Sequence, residues 1–174
     1  MVDNLGDADL LITGTRDIRT PNIDRIFEEG ITFLKFYTNN PVCSPSRAAL
    51  LSGCFPDKVG VPGVIRDVAP NSWGNPKKID IRLLLEILQN QGVETALVGK
   101  WHLGLSCDDI PNKRGFDFFH GFLSDMMDDY WNHRKNGLNL MRKNQLEICP
   151  RGHATDVFTK WAFGYIAQRE GKIW

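Results

Sequence analysis

The chain has 174 residues, 42% of them hydrophobic, and its 21 basic side chains balance its 21 acidic ones. A chain of this length and composition can bury a hydrophobic core, so we expect residues 1–174 to belong to one domain. Because the net charge is zero, bulk electrostatics gives no reason to expect a nucleic acid or an anionic membrane surface as the partner. The apolar runs are too short to cross a bilayer, and the start of the chain shows no signal peptide.

The first predicted elements lie between residues 21 and 53. Residues 21–29 carry apolar side chains at helical spacing and precede Gly30, so they predict a helix. Residues 31–37 are β-branched and aromatic, which predicts a strand. A second helix is predicted from Ser44 onwards, with Gly53 as its stop.

A loop rich in glycine, proline and asparagine is predicted for residues 55–78, before a second group of elements. Apolar residues at helical spacing predict helices over residues 79–91 and 154–169, and residues 93–98 predict a strand. Residues 104–152 show no clear periodicity and are expected to be largely loop. The alternation of strands and helices predicts an α/β fold with a sheet that is parallel in substantial part.

The start of the second helix is the most informative part of the chain for function. Ser44 is a candidate N-cap and Pro45 fits a first helical position, so Cys43 faces the helix N-terminus. Free N–H groups and the positive end of the helix dipole favour an anion there. Arg47, about one turn further on, adds a permanent positive charge with forked donors. This segment therefore predicts an anion-binding site.

These residues resemble those of a known family. The run Cys43-Ser44-Pro45-Ser46-Arg47 is similar to the first signature of the type I sulfatases, C-x-P-x-R, in which the cysteine is oxidised enzymatically to formylglycine. Four further segments resemble the family in the same order, namely residues 3–10, 20–26, 99–104 and 114–117. The resemblance is strong over residues 1–122 and weak over residues 153–172.

The resemblance implies a sulfatase-like α/β domain with the alkaline phosphatase superfold, in which helices flank a mixed, largely parallel sheet. Residues 1–174 would be the N-terminal part of a single catalytic domain that is incomplete at both ends. Only Met1 and Val2 precede the Asp3 segment, where the family has a longer strand. After Trp174 the family continues to a second histidine, a metal-binding Asp-Asn pair and a second lysine.

The same resemblance implies a divalent-cation site at Asp3 and Asn4, with Cys43 as a third ligand after its conversion. The expected ion is Ca²⁺, which accepts carboxylate and amide oxygens as ligands. Asn4 stands where the family more often has aspartate, so the site has one negative charge less. The alternative for Asp3 and Asn4 is an Asx turn, because both residue types favour turns.

Lys100 and His102 are the other candidate catalytic residues, beside Cys43 and Arg47. They are two positions apart at the end of the strand predicted for residues 93–98, so in an extended backbone both side chains would point the same way. The resemblance gives His102 a proton-transfer role, and it gives Lys100 and Arg47 the binding of sulfate oxygens. The alternatives are a buried structural histidine and a solvated lysine.

The activity that the resemblance implies is hydrolysis of an aryl, steroid or carbohydrate sulfate ester, with formylglycine at position 43 as the nucleophile. A formylglycine-generating enzyme would be the partner in maturation, and the secretory pathway, the lysosome or the periplasm would be the compartment. Cys54 stands where the family commonly has an arginine that belongs to the segment read by this enzyme.

Other interpretations are open at this point. A cysteine phosphatase also surrounds an anion with cysteine and arginine, but its spacing is C-x₅-R, whereas three residues separate Cys43 from Arg47. A phosphoesterase of the same superfold and a truncated, non-catalytic sulfatase-like polypeptide are the remaining alternatives.

The remaining histidines and cysteines carry no motif. His120, His133 and His153 are expected to be structural or surface residues. The cysteines have no zinc-type spacing with the histidines. The sequence is compatible with a disulfide between two of the three cysteines other than Cys43, which are Cys54, Cys107 and Cys149.

Overall fold

A computed structural model describes residues 1–6, 8–66 and 83–169. Contacts divide the chain into two compact units, residues 1–38 and residues 39–174. The described part of the first unit is helix and loop, whereas the second unit contains a β-sheet and most of the buried side chains.

The first unit contains the helix α1 (Pro21–Glu29), which has the bounds that the sequence predicts. Proline suits the first helical position because its missing N–H would be unpaired there. The hydroxyl of Thr20 donates to Oδ1 of Asp24 at 2.9 Å and ties the residue before the helix to its first turn. A 3₁₀ turn, Leu11–Thr13, precedes this helix.

The strand predicted for residues 31–37 is wrong for this structure, because residues 1–6 and 8–38 form no strand. The apolar side chains of this segment are between 73% and 91% exposed, namely Ile31, Phe33, Leu34, Phe36 and Tyr37. β-Propensity measures how well a side chain fits a half-buried pleated surface. A segment of high β-propensity therefore does not form a strand unless a neighbouring strand pairs with it.

Three α-helices lie in the described part of the second unit. The helix α2 (Cys43–Ser52) ends at Gly53, whose φ of 67° provides the predicted stop. The helix α3 (Leu84–Asn90) follows an extended Leu83 and is shorter than the helix predicted for residues 79–91, of which residues 79–82 lie outside the described ranges. The helix α4 (Ala154–Ala167) ends two residues before the predicted end.

The start of α2 differs from the prediction. Val42 occupies the N-cap position, so the predicted cap at Ser44 is wrong. The Ser44 hydroxyl instead accepts the N–H of Ile65 at 3.1 Å. Pro45 is accordingly the third helical residue, where its missing N–H still costs no intrahelical hydrogen bond.

The second unit contains six described strands. They are β1 (Ala96–Lys100), β2 (Phe118–Phe122), β3 (Arg134–Lys135), β4 (Leu138–Asn139), β5 (Met141–Lys143) and β6 (Leu146–Glu147). One sheet has the order β1-β2-β5-β6, and β3 and β4 form a separate hairpin. The β1–β2 pair is parallel, while the β2–β5 and β5–β6 pairs are antiparallel. The predicted α/β fold with a mixed sheet is therefore confirmed.

Five of these strands lie within residues 104–152, which the sequence predicts to be largely loop. The strands are only two to five residues long, which is too short for a clear alternation of apolar and polar residues. An Asn136-Gly137 turn with positive φ at both residues joins β3 to β4. The strand predicted for residues 93–98 is shifted towards Lys100.

The core of the second unit packs around the sheet. Trp101, Phe119, Phe122 and Met141 are at most 2% exposed within it. No described helix is both long and apolar enough to cross a bilayer.

Candidate active site

Two elements of the second unit bring Cys43 and His102 together. Cys43 is the first residue of α2, and His102 is two residues beyond the end of β1. The Nδ1 atom of His102 lies 3.0 Å from Sγ of Cys43. The imidazole is buried, with 1% exposure, whereas Cys43 is half-buried. Residue 43 therefore keeps access to solvent while it contacts a buried base.

The second ring nitrogen of His102 decides which tautomer contacts Cys43. Nε2 lies 2.8 Å from the carbonyl oxygen of Ile65. A carbonyl oxygen only accepts hydrogen bonds, so Nε2 carries a proton. In the neutral ring Nδ1 then has the lone pair, and the Cys43 thiol donates to it.

The surroundings of His102 keep this ring neutral. Its pKa is lowered from the usual 6.5, chiefly because burial disfavours the imidazolium. The hydrogen bond to Ile65 and the Asp125 carboxylate raise the pKa and offset part of this effect. The charges of Lys100 and Arg47 lower it further. The ring is therefore an unprotonated base at neutral pH.

Arg47 connects the beginning of α2 to the end of β1. Its Nη1 donates a hydrogen bond to the carbonyl oxygen of Lys100 at 2.8 Å. Arg47 and Lys100 are both half-buried, and both charges act on His102. The structure thus brings together the four residues that the sequence marks as candidate catalytic residues, Cys43, Arg47, Lys100 and His102.

The backbone of His102 differs from the extended conformation assumed in the sequence analysis. Its φ is 59°, a left-handed conformation that is uncommon outside turns and functional sites. Its N–H donates to the carbonyl oxygen of Leu123 at 2.9 Å. The extended backbone that the sequence analysis assumes for His102 is therefore wrong, although the charge of Lys100 acts on the His102 ring. The backbone beyond β1, held by hydrogen bonds to Phe122 and Leu123, directs the imidazole towards Cys43.

Ile65 supports the site and was not predicted from the sequence. Its N–H bonds to the hydroxyl of Ser44, and its carbonyl oxygen accepts Nε2–H of His102. These contacts span 21 and 37 residues of chain, so no local pattern reveals them.

Asp3 and Asn4, the predicted cation ligands, are exposed residues of the first unit. Asn4 has a φ of 57°, which asparagine tolerates better than most residues. Their oxygen atoms suit a hard cation such as Ca²⁺, which takes six to eight oxygen ligands. Within the described ranges, no group of three or more His, Cys, Asp and Glu side chains could hold a metal ion. The cation site therefore stays a prediction, which the type of oxygen atom in Asp3 and Asn4 supports.

The other histidines have structural contacts. Nε2 of His133 lies 2.8 Å from the carbonyl oxygen of Gly152. His120 stacks on Trp161 with ring centroids 3.4 Å apart. All four cysteines are free, so the disulfide that the sequence allows is not formed.

The comparison with protein families identifies the class. The sulfatase family model matches residues 1–173, and the chain belongs to the sulfatase family. Steryl-sulfatase of Rattus norvegicus is 39% identical over 132 residues, which cover 70% of this chain and 22% of that protein. N-acetylgalactosamine-6-sulfatase of Mus musculus is 39% identical over 133 residues, which cover 70% of this chain and 24% of that protein. The chain thus spans about a quarter of the length of these relatives or less.

Solved structures show the same fold. The crystal structure of Ps i-CgsB in complex with k-i-k-neocarrahexaose aligns with a TM-score of 0.83 and 30% identity, over 98% of this chain and 40% of that one. The PsFucS1 sulfatase from Pseudoalteromonas sp. aligns with a TM-score of 0.75 and 25% identity, over 97% of this chain and 39% of that one. The predicted sulfatase-like, alkaline phosphatase-type fold is therefore confirmed, for a chain that covers about two fifths of these structures.

Proposed function

We propose that the intact protein that contains this chain hydrolyses sulfate esters, with residue 43 as the nucleophile after oxidation of Cys43 to formylglycine. The 3.0 Å contact between Nδ1 of His102 and Sγ of Cys43 carries the proposal. A formylglycine-generating enzyme would perform the oxidation. Once hydrated, formylglycine supplies two hydroxyl oxygens on one carbon, so that one can attack sulfur and the other can expel sulfate and restore the aldehyde.

His102 acts as the general base in this proposal. A proton must leave a hydroxyl of residue 43, and Nδ1 is the ring nitrogen with a lone pair at that position. The lowered pKa of His102 keeps Nδ1 unprotonated at neutral pH. When the ring takes the proton, the Ile65 carbonyl still accepts Nε2–H and stabilises the imidazolium.

Arg47 and Lys100 bind the sulfate group. Their charges are half-buried, where solvent screens an electrostatic interaction less than it does at the surface. The hydrogen bond from Arg47 to the Lys100 carbonyl fixes the guanidinium before substrate arrives. The N-terminus of α2 adds N–H groups that favour an anion.

Asp3 and Asn4 are the residues of the first unit that we propose as ligands of Ca²⁺. A hard cation would supply positive charge that lowers the pKa of a hydroxyl bound to it and offsets the charge of a sulfate group. Carboxylate and amide oxygens select a hard ion of this kind over a thiolate-seeking metal.

A sulfated carbohydrate is the substrate class that we propose. The solved structure that aligns with a TM-score of 0.83 is a complex with k-i-k-neocarrahexaose, and one relative is named for an N-acetylgalactosamine 6-sulfate. Another relative is a steryl-sulfatase, so a steroid sulfate is the appropriate competing substrate in assays.

Mass spectrometry and turnover together test the proposal. Trypsin releases Cys43 in the peptide Phe36–Arg47, because Lys35 and Arg47 are the flanking cleavage sites. After expression with a formylglycine-generating enzyme, we expect this peptide to carry an aldehyde in place of the thiol. We expect Cys43→Ala to lose at least about 10³-fold in kcat with p-nitrophenyl sulfate. Cys107→Ala, at an exposed thiol, is the control and should remain active. An active preparation with an intact Cys43 thiol would contradict the proposal.

A further inference from the structure

An exposed aromatic surface lies where the segment between β2 and β5, which carries Tyr130 and Trp131, meets His153 at the N-cap of α4. It consists of Tyr130, Trp131 and His153 and is called the aromatic platform below. We propose that the aromatic platform binds the saccharide ring next to the ring that carries the scissile sulfate ester. This inference rests on the proposed function, because it assigns a binding subsite for its carbohydrate substrate.

Strand pairing places both ends of this segment at the edge of the sheet where the candidate active site lies. In the parallel β1–β2 pair, Lys100 is opposite Phe122. In the antiparallel β2–β5 pair, Phe122 is opposite Met141. Residues 123–140 therefore leave the sheet after Phe122 and return to it before Met141. Both ends lie at the edge of the sheet where β1 ends with Lys100.

Hydrogen bonds close the base of the segment beside the catalytic histidine. The N–H of Leu123 donates to the carbonyl oxygen of Leu140 at 3.1 Å. The carbonyl oxygen of the same Leu123 accepts the N–H of His102 at 2.9 Å. Residues 124–139 thus project from a base that contacts His102 directly.

Asp129 holds the loop that carries the platform. Its Oδ1 accepts the N–H groups of Trp131 and Asn132 at 2.6 and 3.0 Å, and its Oδ2 accepts the Asn132 side-chain amide at 2.9 Å. These hydrogen bonds lower the pKa of Asp129, so the carboxylate stays ionised at neutral pH. The carbonyl oxygen of Tyr130 accepts the N–H of Ala154, the first residue of α4, at 2.9 Å. A loop fixed in this way loses little conformational entropy when a ligand binds.

The rings of the platform are packed against each other and remain open to solvent. His153 stacks on Tyr130, with centroids 5.5 Å apart and an interplanar angle of 16°. It also meets Trp131 at 5.4 Å and 75°. Trp131 is nevertheless 65% exposed, and Tyr130 is 50% exposed. Rigid aromatic side chains of this kind offer a large contact area at a small cost in side-chain entropy.

The chemistry of this surface suits a saccharide better than a steroid. The C–H groups of a pyranose ring carry partial positive charge and pack on the electron-rich face of an indole or phenol. The Trp131 indole N–H, the Tyr130 hydroxyl and the exposed Arg134 provide donors for sugar hydroxyls. A steroid has few groups to bond with these donors and requires an enclosed apolar cleft. Rings that are half or more exposed do not provide one.

Calorimetric binding to desulfated oligosaccharides tests the subsite without any turnover. The probes are desulfated hexasaccharides from carrageenan and from chondroitin, titrated into the intact protein. We expect at least one probe to bind the wild type, and Trp131→Ala to weaken its affinity by about tenfold. Trp131→Phe keeps an aromatic face and should retain most of the affinity. Phe163→Ala is the matched control, since Phe163 is a 68% exposed aromatic residue on α4 outside the platform.

The outcomes separate this inference from the proposed function. Wild-type protein that binds neither hexasaccharide, equal affinities of wild type and Trp131→Ala, or an equal loss in Phe163→Ala would each overturn the subsite. The proposed function fails separately, if the wild type shows no p-nitrophenyl sulfate hydrolysis that depends on Cys43. Cys43→Ala should still bind the hexasaccharide, because the platform does not require the nucleophile.

Discussion

The two units of the chain differ in how they support the residues proposed to act in catalysis. In residues 39–174, the candidate catalytic side chains adjoin a core that includes Trp101 and Phe119, which are at most 2% exposed. In residues 1–38, Leu10 is buried but Phe33 and Leu34 are 73% and 91% exposed. In the second unit, packing against the core therefore holds the candidate catalytic side chains in place. In the first unit, the predicted cation ligands Asp3 and Asn4 are exposed.

This difference shows that a helix can form from local sequence alone, whereas a strand also requires a neighbouring strand. The helix α1 forms as predicted because its hydrogen bonds and its starting proline are internal to the segment. Residues 31–37 have strand-forming side chains but no strand beside them, and their backbone stays irregular. The comparison predicts that changes in the second unit alter the stability of the protein more than changes to the exposed apolar residues of the first unit.

The largest expected effect follows from replacing His102. We expect His102→Gln to lower kcat for p-nitrophenyl sulfate by about 10² to 10⁴-fold with little change in KM, because a general base is lost while binding groups remain. Steady-state kinetics provides the measurement. His133→Gln is the matched control, since His133 is also buried and also contacts a carbonyl oxygen, that of Gly152. Equal losses in the two variants would show that His102 acts through folding alone.

The next largest effect is expected on stability, from a change in the parallel pair of β1 and β2. A Cβ atom on Gly121 would lie 1.9 Å from the carbonyl oxygen of Gly99 in β1. Gly121→Ala must therefore separate β1 from β2, and we expect it to lower the free energy of unfolding by about 3 kcal/mol. Urea denaturation followed by circular dichroism measures the change.

Gly164→Ala in α4 is the control for this substitution, because a Cβ there meets no atom within 4 Å. We expect it to raise the free energy of unfolding by about 0.5 to 1 kcal/mol, since alanine is the better helix former. If Gly121→Ala were as stable as the wild type, the close approach of β1 and β2 would be refuted.

Protonation of His120 is expected to make the free energy of unfolding depend on pH, with a smaller effect than the substitution of Gly121. Burial, and then the nearby charge of Lys143, lower the pKa of His120 to about 4. Between pH 6.5 and pH 4, His120 binds a proton more readily in the unfolded chain than in the folded one. The free energy of unfolding therefore falls as the pH is lowered through this range. His120→Phe keeps the stack on Trp161 and cannot take a proton, so its stability should fall less between pH 7 and pH 4. Wild type and variant with the same pH dependence would contradict the assignment.

The smallest effect on stability is expected in the first unit. Phe33 and Phe36 are exposed, with ring centroids 6.3 Å apart. The double change to serine should leave the free energy of unfolding within about 0.5 kcal/mol of the wild type. It should nevertheless raise the fraction of monomer of the 174-residue chain in light scattering, because an exposed apolar patch promotes association. Leu146→Ser, at a 72% exposed residue of β6, is the control and should have the smaller effect on association.

The candidate site could be predicted from sequence only in part. The identity of Cys43, Arg47, Lys100 and His102 followed from the resemblance to the sulfatase signatures, and the structure brings the four together. Their arrangement did not follow, because His102 has a left-handed backbone rather than an extended one. The tautomer of His102 depends on Ile65, which lies in a loop with no motif of its own.

By itself, the sequence determined the family, the helix α1, the glycine stop of α2 and the residues of the proposed chemistry. These properties depend on residues within a few positions of one another, where helix hydrogen bonds and signature motifs are local. Only the tertiary structure decided that residues 31–37 form no strand in this chain, that five short strands lie within residues 104–152, and that Nδ1 of His102 contacts Cys43. Those outcomes depend on backbone pairing and on contacts between residues as far as 59 positions apart, which local sequence does not specify.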